Sequence, residues 1–147
     1  MKKALILGVM VVFSLFAVSS AFAGAGKCPQ PRKTKSAPSG TARTDKTAKA
    51  NAANGEKIYM KKAKPMACQM CHGKKGDGTG KLGKAFKPPK APRNFTCAAT
   101  MKKVSAGQMF WIIKNGSKGT GMVAHKKTLK DKEIWDVVKY IRSTFVK

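Results

Sequence analysis

The sequence predicts a small all-α domain, and three observations support this prediction. Two segments in the second half have apolar residues at helical spacing, no segment alternates as a half-buried strand does, and no internal repeat is present. The 147 residues allow one compact domain with short extensions, because domains usually span roughly 100 to 200 residues. A multi-domain enzyme is therefore not expected.

Residues 1–23 have the features of a signal peptide. Lys2 and Lys3 precede an apolar run over residues 4–18, and the small-residue site Ala21-Phe22-Ala23 follows. We expect cleavage after Ala23 and export to the periplasm. A retained membrane anchor is the alternative, but the run is shorter than the roughly 18 to 20 residues that span a bilayer.

Residues 24–50 consist mostly of Lys, Thr, Ser, Ala, Pro and Gly. With almost no large apolar side chains, such a segment cannot offset the entropy lost on ordering. We predict a basic flexible tail, either a solvated linker or a tether to a negatively charged surface. The compact domain is expected over residues 51–147.

The first part of this domain is predicted as a short helix followed by a long loop. Asn54, Gly55 and Glu56 open the helix, which ends at Pro65 at the latest. A second helical turn is expected over residues 68–72. The segment 73–92 is rich in Gly and Pro and lacks any period, which is typical of a loop.

Two longer helices follow. Ser105 and Gln108 have capping-box spacing, and Asn115-Gly116 predicts where that helix ends. The last helix is predicted over residues 130–145, with acidic residues in its first turn. Its apolar residues recur at helical spacing: Ile134, Val138, Ile141 and Phe145.

The motif C-x-x-C-H, the attachment signature of c-type haem, occurs once, at residues 68–72. Residues three and four positions apart share a helix face, so Cys68 and Cys71 can bond the two vinyl groups while His72 reaches the iron. A thiol redox pair would need a strand–helix–strand context. A zinc site would need further ligands at characteristic spacing. The motif therefore predicts one covalently attached haem c.

The second axial ligand remains open between Met122, His125 and a vacant position. Ligation by His and Met suits electron transfer, whereas an open site permits binding or activation of small molecules. Met122 follows a glycine-rich loop between the two amphipathic helices, which favours it. We expect His125 to be a solvated surface residue and Met109 to fill the core.

Three segments resemble the class I cytochromes c, especially the small bacterial mono-haem type. They are residues 55–59 ahead of 68–73, then 119–122, then 133–141. The resemblance covers residues 51–147 and implies an all-α class I cytochrome c fold in which the amino- and carboxyl-terminal helices cross. It further implies that Gly55 and Tyr59 meet the region of Val137 and Tyr140, and that Met122 is the distal ligand.

The sequence departs from this family at two positions. Many relatives have Pro directly after the distal Met, where this chain has Val123, so ligand exchange with His125 stays possible. Relatives often carry a Gly-Pro pair whose backbone carbonyl orients the proximal His. Here Gly80-Lys81 stands at that place, and the carbonyl can still serve there, because proline contributes no carbonyl that lysine lacks.

Cys28 and Cys97 remain after the haem has taken its pair. In an oxidising compartment two spare thiols tend to pair, and a disulfide would pin the tail onto the domain. A free buried Cys97 and a reactive or intermolecular Cys28 are the alternatives.

The formal charge is +25, which selects acidic partners. Export argues against nucleic acid, so we expect acidic faces of redox proteins, with a weak contact between the tail and an anionic membrane surface. The expected function is one-electron transfer without catalysis. A subunit of a larger respiratory or oxidising complex and a haem enzyme or sensor with an open distal site are the alternatives. The lysines expected near the haem edge are Lys74, Lys75, Lys81, Lys84, Lys87 and Lys118.

Overall fold

The computed structural model describes residues 28–30 and 34–147. The predicted signal peptide and its cleavage site lie outside the described residues. Within the described part of the chain, no helix is both long enough and apolar enough to cross a membrane.

The described residues contain six α-helices and no strand, which confirms the predicted all-α class. The helices are α1 (Ser39–Arg43), α2 (Ala52–Lys57), α3 (Gln69–His72), α4 (Ala98–Met101), α5 (Ala106–Asn115) and α6 (Asp131–Thr144). A π-helical turn, Ile58–Lys62, extends α2, and 3₁₀ turns lie at Thr47–Lys49 and Gly83–Ala85.

Helices α2 and α6 pack across each other, as the resemblance implied. Gly55 on α2 is buried against the backbone of Asp136 on α6, where an added methyl group would overlap the Asp136 carbonyl. The ring centroids of Tyr59 and Tyr140 lie 5.4 Å apart at the same crossing. Only glycine permits this backbone approach.

Helices α5 and α6 begin and end close to the predicted positions. The Ser105 side chain accepts from the Gln108 backbone N–H at 3.1 Å, and Gly116 follows the last residue with φ of 72°. The Glu133 carboxylate accepts from the Lys130 backbone N–H at 2.8 Å at the start of α6. Phe110 of α5 stacks on Trp135 of α6, with ring centroids 4.6 Å apart.

Residues 28–30 and 34–50, which we call the strap, differ from the flexible tail that their composition predicts. The Ala37 N–H donates to the Gln108 side-chain oxygen at 2.7 Å, and the Ser105 hydroxyl donates to the Ala42 carbonyl at 2.6 Å. Gly107 lets the backbone at Thr41 lie directly on α5. The strap is thus held against the start of α5 by hydrogen bonds between its backbone and the Ser105 and Gln108 side chains, which an argument from apolar side chains overlooks.

Candidate functional site

The C-x-x-C-H motif forms a single helical turn, as predicted. Cys68 precedes α3, and its carbonyl accepts from the His72 backbone N–H at 2.9 Å and from that of Cys71 at 3.2 Å. Gly73 ends the turn with φ of 78°. The turn brings both thiols and the imidazole to one side of the backbone, where all three border the same cavity.

The thiols of Cys68 and Cys71 are free, whereas Cys28 and Cys97 form a disulfide. Burial raises the pKa of Cys68 to about 12, and burial also raises the pKa of Cys71. Thiol pairs that exchange disulfides depend on a lowered thiol pKa. The environment of this pair therefore argues against thiol redox chemistry.

The imidazole of His72 is held from two directions. Its Nδ1 lies 3.0 Å from the backbone carbonyl oxygen of Arg93, and its ring stacks on Phe95 with centroids 4.6 Å apart. Burial lowers the pKa of His72, against the opposing effect of the hydrogen bond to the Arg93 backbone. With Nδ1 occupied as the donor, Nε2 is the nitrogen left for a metal ion.

The hydrogen-bond acceptor for Nδ1 of His72 is the Arg93 carbonyl. This corrects the expectation that the Gly80-Lys81 pair would supply the acceptor. The Gly80 carbonyl instead accepts from the Lys84 backbone N–H at 3.2 Å, and the Gly80 N–H donates to the Cys71 carbonyl at 3.2 Å. Gly80 therefore supports the backbone of the motif turn. The carbonyl that orients the imidazole comes from a position 21 residues after His72.

The cavity beside the motif is mostly apolar. Its volume is about 130 Å³. Its apolar walls include side chains from the central loop, α5 and α6: Phe86, Pro92, Phe95, Met109, Ile113 and Ile141. Such walls accept a flat apolar group and exclude water from it.

Met122 also lines this cavity, on a loop fixed at several points. Its carbonyl accepts from the Ser117 backbone N–H at 3.0 Å, and its own N–H donates to the Thr120 hydroxyl at 3.2 Å. Gly121 lies against the ring of Phe86, where a side chain would overlap. The predicted residues Cys68, Cys71, His72 and Met122 thus border one cavity.

His125 is buried, which corrects the expectation of a surface histidine. Only 4% of it is exposed, and it lines the cavity with Met122. Burial lowers the pKa of His125, while a hydrogen bond to the Lys64 backbone acts in the opposite direction. Nδ1 has no hydrogen-bond partner. The Thr128 and Leu129 backbone N–H groups both donate to the His125 carbonyl, at 2.9 and 2.8 Å.

Three of the six acidic side chains serve local structure. Asp45, Asp77 and Glu133 accept from nearby backbone N–H groups. Among the described residues the ion pairs are Lys114 with Asp131 at 2.8 Å and Lys132 with Asp136 at 3.6 Å. Most lysines therefore keep an uncompensated charge on the surface.

The cavity opens between exposed residues that we call the mouth patch: Pro88, Pro89, Lys90, Gly121 and Val123. Lys87 and Lys118, both exposed, stand beside it in sequence. Lys74 and Lys75 instead line a second cleft with Tyr140 and Lys147. Lys90 was not among the lysines expected near the haem edge.

The crossed α2 and α6, the C-x-x-C-H turn and the apolar cavity define a c-type cytochrome domain. Residues 50–141 match the family described as cytochrome c oxidase, cbb3-type, subunit III, and the chain belongs to that family. The strap lies almost wholly outside the matched residues.

The chain is also similar to two solved structures. A chain of the Kuenenia stuttgartiensis reducing HAO-like protein complex is 29% identical over 71% of this chain, with a TM-score of 0.55. This chain spans 46% of that chain. The c-type cytochrome SorU of Sinorhizobium meliloti is 22% identical over 65% of this chain and 92% of its own, with a TM-score of 0.44. No curated protein matches the chain.

Proposed function

We propose that this chain is an exported mono-haem cytochrome c that carries one electron at a time between larger redox partners. The observation that supports this most is the shared cavity, which brings the single C-x-x-C-H turn and Met122 together. Family membership supports the same reading. The chain has no catalytic role of its own in this proposal.

The residues present fit a covalently bound haem c. Cys68 and Cys71 supply free thiols, His72 presents Nε2, and the walls are apolar. When bound, the haem supplies a one-electron iron couple. The carbonyl of Arg93 holds the proton on Nδ1 of His72, which fixes the tautomer that leaves Nε2 as a ligand.

Met122 is the proposed distal ligand. Together with the His72 imidazole, the Met122 thioether would hold the iron at a raised reduction potential and would leave no position for small molecules. The bonds to Ser117 and Thr120 limit the motion of this ligand, so little rearrangement accompanies a change of charge. Val123 in place of Pro leaves His125, which lines the same cavity, as the competing ligand.

Partners are proposed to dock at the mouth patch. Four of its five residues are uncharged, and Val123 is 36% exposed. Lys90 within the patch, with Lys87 and Lys118 beside it in sequence, supplies positive charge. An acidic face of a redox protein complements this arrangement, and charge complementarity speeds encounter without requiring tight binding. Nucleic acid is not a proposed partner. The strap's lysines add a weak attraction to anionic membrane surfaces.

We also propose that the protein is exported to the periplasm and that its signal peptide is cleaved after Ala23. The sequence features of residues 1–23 support it, as does the Cys28–Cys97 disulfide, which is typical of oxidising compartments. Amino-terminal sequencing of the secreted protein should begin at Gly24. An intact Met1 on the mature protein would contradict cleavage.

A second candidate is an electron-transfer subunit of a larger respiratory or oxidising complex. The matched family is described by an oxidase subunit, and one similar chain belongs to a multi-protein complex. Extraction under mild conditions separates the two candidates. A stable complex would favour the subunit, and a monomer would favour the free carrier.

The absorption spectrum of the oxidised, haem-loaded protein tests the proposed ligands. We expect the sulfur-to-ferric charge-transfer band in the wild type and its loss in Met122→Ala. Met66→Ala is the matched control, because Met66 lines the same cavity without a proposed bond to iron. If the band survives in Met122→Ala, Met122 is not the ligand. If carbon monoxide binds to the native reduced protein, an enzyme or sensor with an open distal site is favoured.

A further inference from the structure

The side chain of Gln30 forms hydrogen bonds with the loop whose backbone contacts His72, the proposed proximal ligand. Its Nε2 donates to the Pro92 carbonyl at 3.0 Å. Its Oε1 accepts from the Asn94 backbone N–H at 3.0 Å and from Arg93 Nη1 at 3.1 Å. One amide therefore binds three consecutive residues of the loop that carries the acceptor for His72.

The peptide unit between Arg93 and Asn94 is held from both ends. Its carbonyl lies 3.0 Å from Nδ1 of His72, and its N–H donates to Oε1 of Gln30. The C=O and N–H of a trans peptide point in opposite directions, so the histidine, the peptide and the glutamine form one chain of hydrogen bonds. Bonds in such a chain polarise and strengthen one another.

Gln30 is itself anchored to the domain. The Cys28–Cys97 disulfide lies two residues before it, and the Gln30 backbone N–H donates to the Thr100 hydroxyl at 3.2 Å. Cys97 immediately precedes α4, and Thr100 is part of it. The disulfide thus sets the position of the glutamine relative to the loop that it grips.

We propose that Gln30, tethered by the Cys28–Cys97 disulfide, is a positioning residue for the proximal ligand, acting through the Arg93–Asn94 peptide. This inference rests on the proposed function, in which His72 binds haem iron through Nε2. A stronger bond to the Arg93 carbonyl makes the imidazole more electron-rich. That favours the ferric state, so Gln30 lowers the reduction potential.

The test compares Gln30→Ala with the wild type, both loaded with haem. We expect a higher reduction potential and faster exchange of the His72 Nδ1 proton, measured by NMR on the reduced protein. The expected increase in the exchange rate is about tenfold, which is the size of effect that losing the net contribution of one hydrogen bond can have. Gln30→Glu keeps the acceptor for Asn94 and should move the potential in the opposite direction.

Gln108→Ala is the matched control. Gln108 lines the same cavity and binds the strap through Ala37 and Lys35, yet no hydrogen bond joins it to residues 92–94 among those described. It should leave the exchange rate of the His72 Nδ1 proton unchanged. Equal increases in the exchange rate of the His72 Nδ1 proton in the Gln30→Ala and Gln108→Ala proteins would show a general effect of strap packing. That result would overturn the proposal.

The tether is tested by replacing both Cys28 and Cys97 with Ser. We expect faster exchange of the His72 Nδ1 proton, in the same direction as for Gln30→Ala, and an unchanged rate would remove the disulfide from the proposal. A wild-type spectrum without histidine ligation would mean that the proposed function has failed. A normal wild-type spectrum with Gln30→Ala identical to it would mean that this inference alone has failed.

Discussion

Gly55 and the carbonyl of Asp136 lie so close that no side chain fits between α2 and α6. The contact lies at the crossing of the first and last helices of the cytochrome domain. Tyr59, one turn further along, packs against Tyr140 and Phe145 with centroid separations of 5.4 and 5.5 Å. The Tyr59 hydroxyl donates to the Gly73 carbonyl at 2.7 Å, so the crossing also supports the end of the haem-attachment turn.

Gly55→Ala should destabilise the protein, because the new methyl group would meet backbone atoms that cannot move without separating the helices. We expect a loss of roughly 2–3 kcal/mol in the free energy of unfolding. Urea unfolding of the haem-loaded protein measures it.

Gly40→Ala is the control for this substitution. Gly40 is an exposed glycine in α1 with no atom within 4 Å of an added Cβ. Alanine there should leave stability unchanged or raise it by up to about 1 kcal/mol, because alanine favours helix. Equal losses from the two variants would contradict the importance of the close approach.

Asp136 also orders the start of α2 from its buried position on α6. Its Oδ1 accepts from the Asn51 backbone N–H at 2.7 Å and its Oδ2 from Asn54 Nδ2 at 2.8 Å. Asp136→Ala leaves both donors unsatisfied, and we expect a loss of about 2–4 kcal/mol in unfolding free energy, again measured by urea unfolding.

The matched control is Asp131→Ala on the same helix. The Asp131 side chain is 60% exposed and pairs with Lys114 at 2.8 Å. Such exposed pairs contribute little, so the loss should stay within about 1 kcal/mol. If Asp136→Ala cost no more than this control, its hydrogen bonds would not stabilise the crossing.

Features that depend on the pattern of side chains along the chain were predictable from the sequence. The bounds of α5 and α6 followed from Ser105, Gly116 and the apolar spacing, and the C-x-x-C-H turn followed from its motif. The acceptor for His72 was not predictable, because a backbone carbonyl is the same in every residue. Only the folded loop shows that Arg93 supplies it.

The strap and His125 were missed for a related reason. Both are positioned by hydrogen bonds between distant parts of the chain, such as the Ala37 N–H with the Gln108 side chain and the His125 backbone N–H with the Ile113 carbonyl. The composition of a segment indicates how much apolar area it can bury, but it does not show which distant residues will form hydrogen bonds with it. The paired spare cysteines were the one sequence signal that the strap is attached.

His125 should make the protein less stable in acid. Burial lowers its pKa in the folded state below the ordinary value of 6.5, so the neutral form favours folding above that value. The stability is lost as pH falls below it, because the unfolded state binds the proton first. The slope of unfolding free energy against pH should approach at most about 1.4 kcal/mol per unit.

His125→Phe should remove this contribution, since phenylalanine does not titrate. The comparison is between urea unfolding at pH 7 and pH 5 in the two haem-loaded proteins. The chain has two histidines, and the other one, His72, is the proposed iron ligand. An identical pH dependence in wild type and variant would show that His125 is not the titrating group.

Electron transfer to an acidic redox protein should slow steeply as salt rises, because screening shortens the reach of the lysine charges to about 8–10 Å at physiological ionic strength. Replacing Lys90 and Lys118 by Glu should lower the rate at low salt and flatten its salt dependence. Stopped-flow kinetics over a series of ionic strengths measures both. The control replaces Lys49 and Lys57 by Glu, since both are exposed and neither lines the cavity. It makes the same change in net charge, so an equal effect from both pairs would mean that overall charge, and not the mouth patch, directs docking.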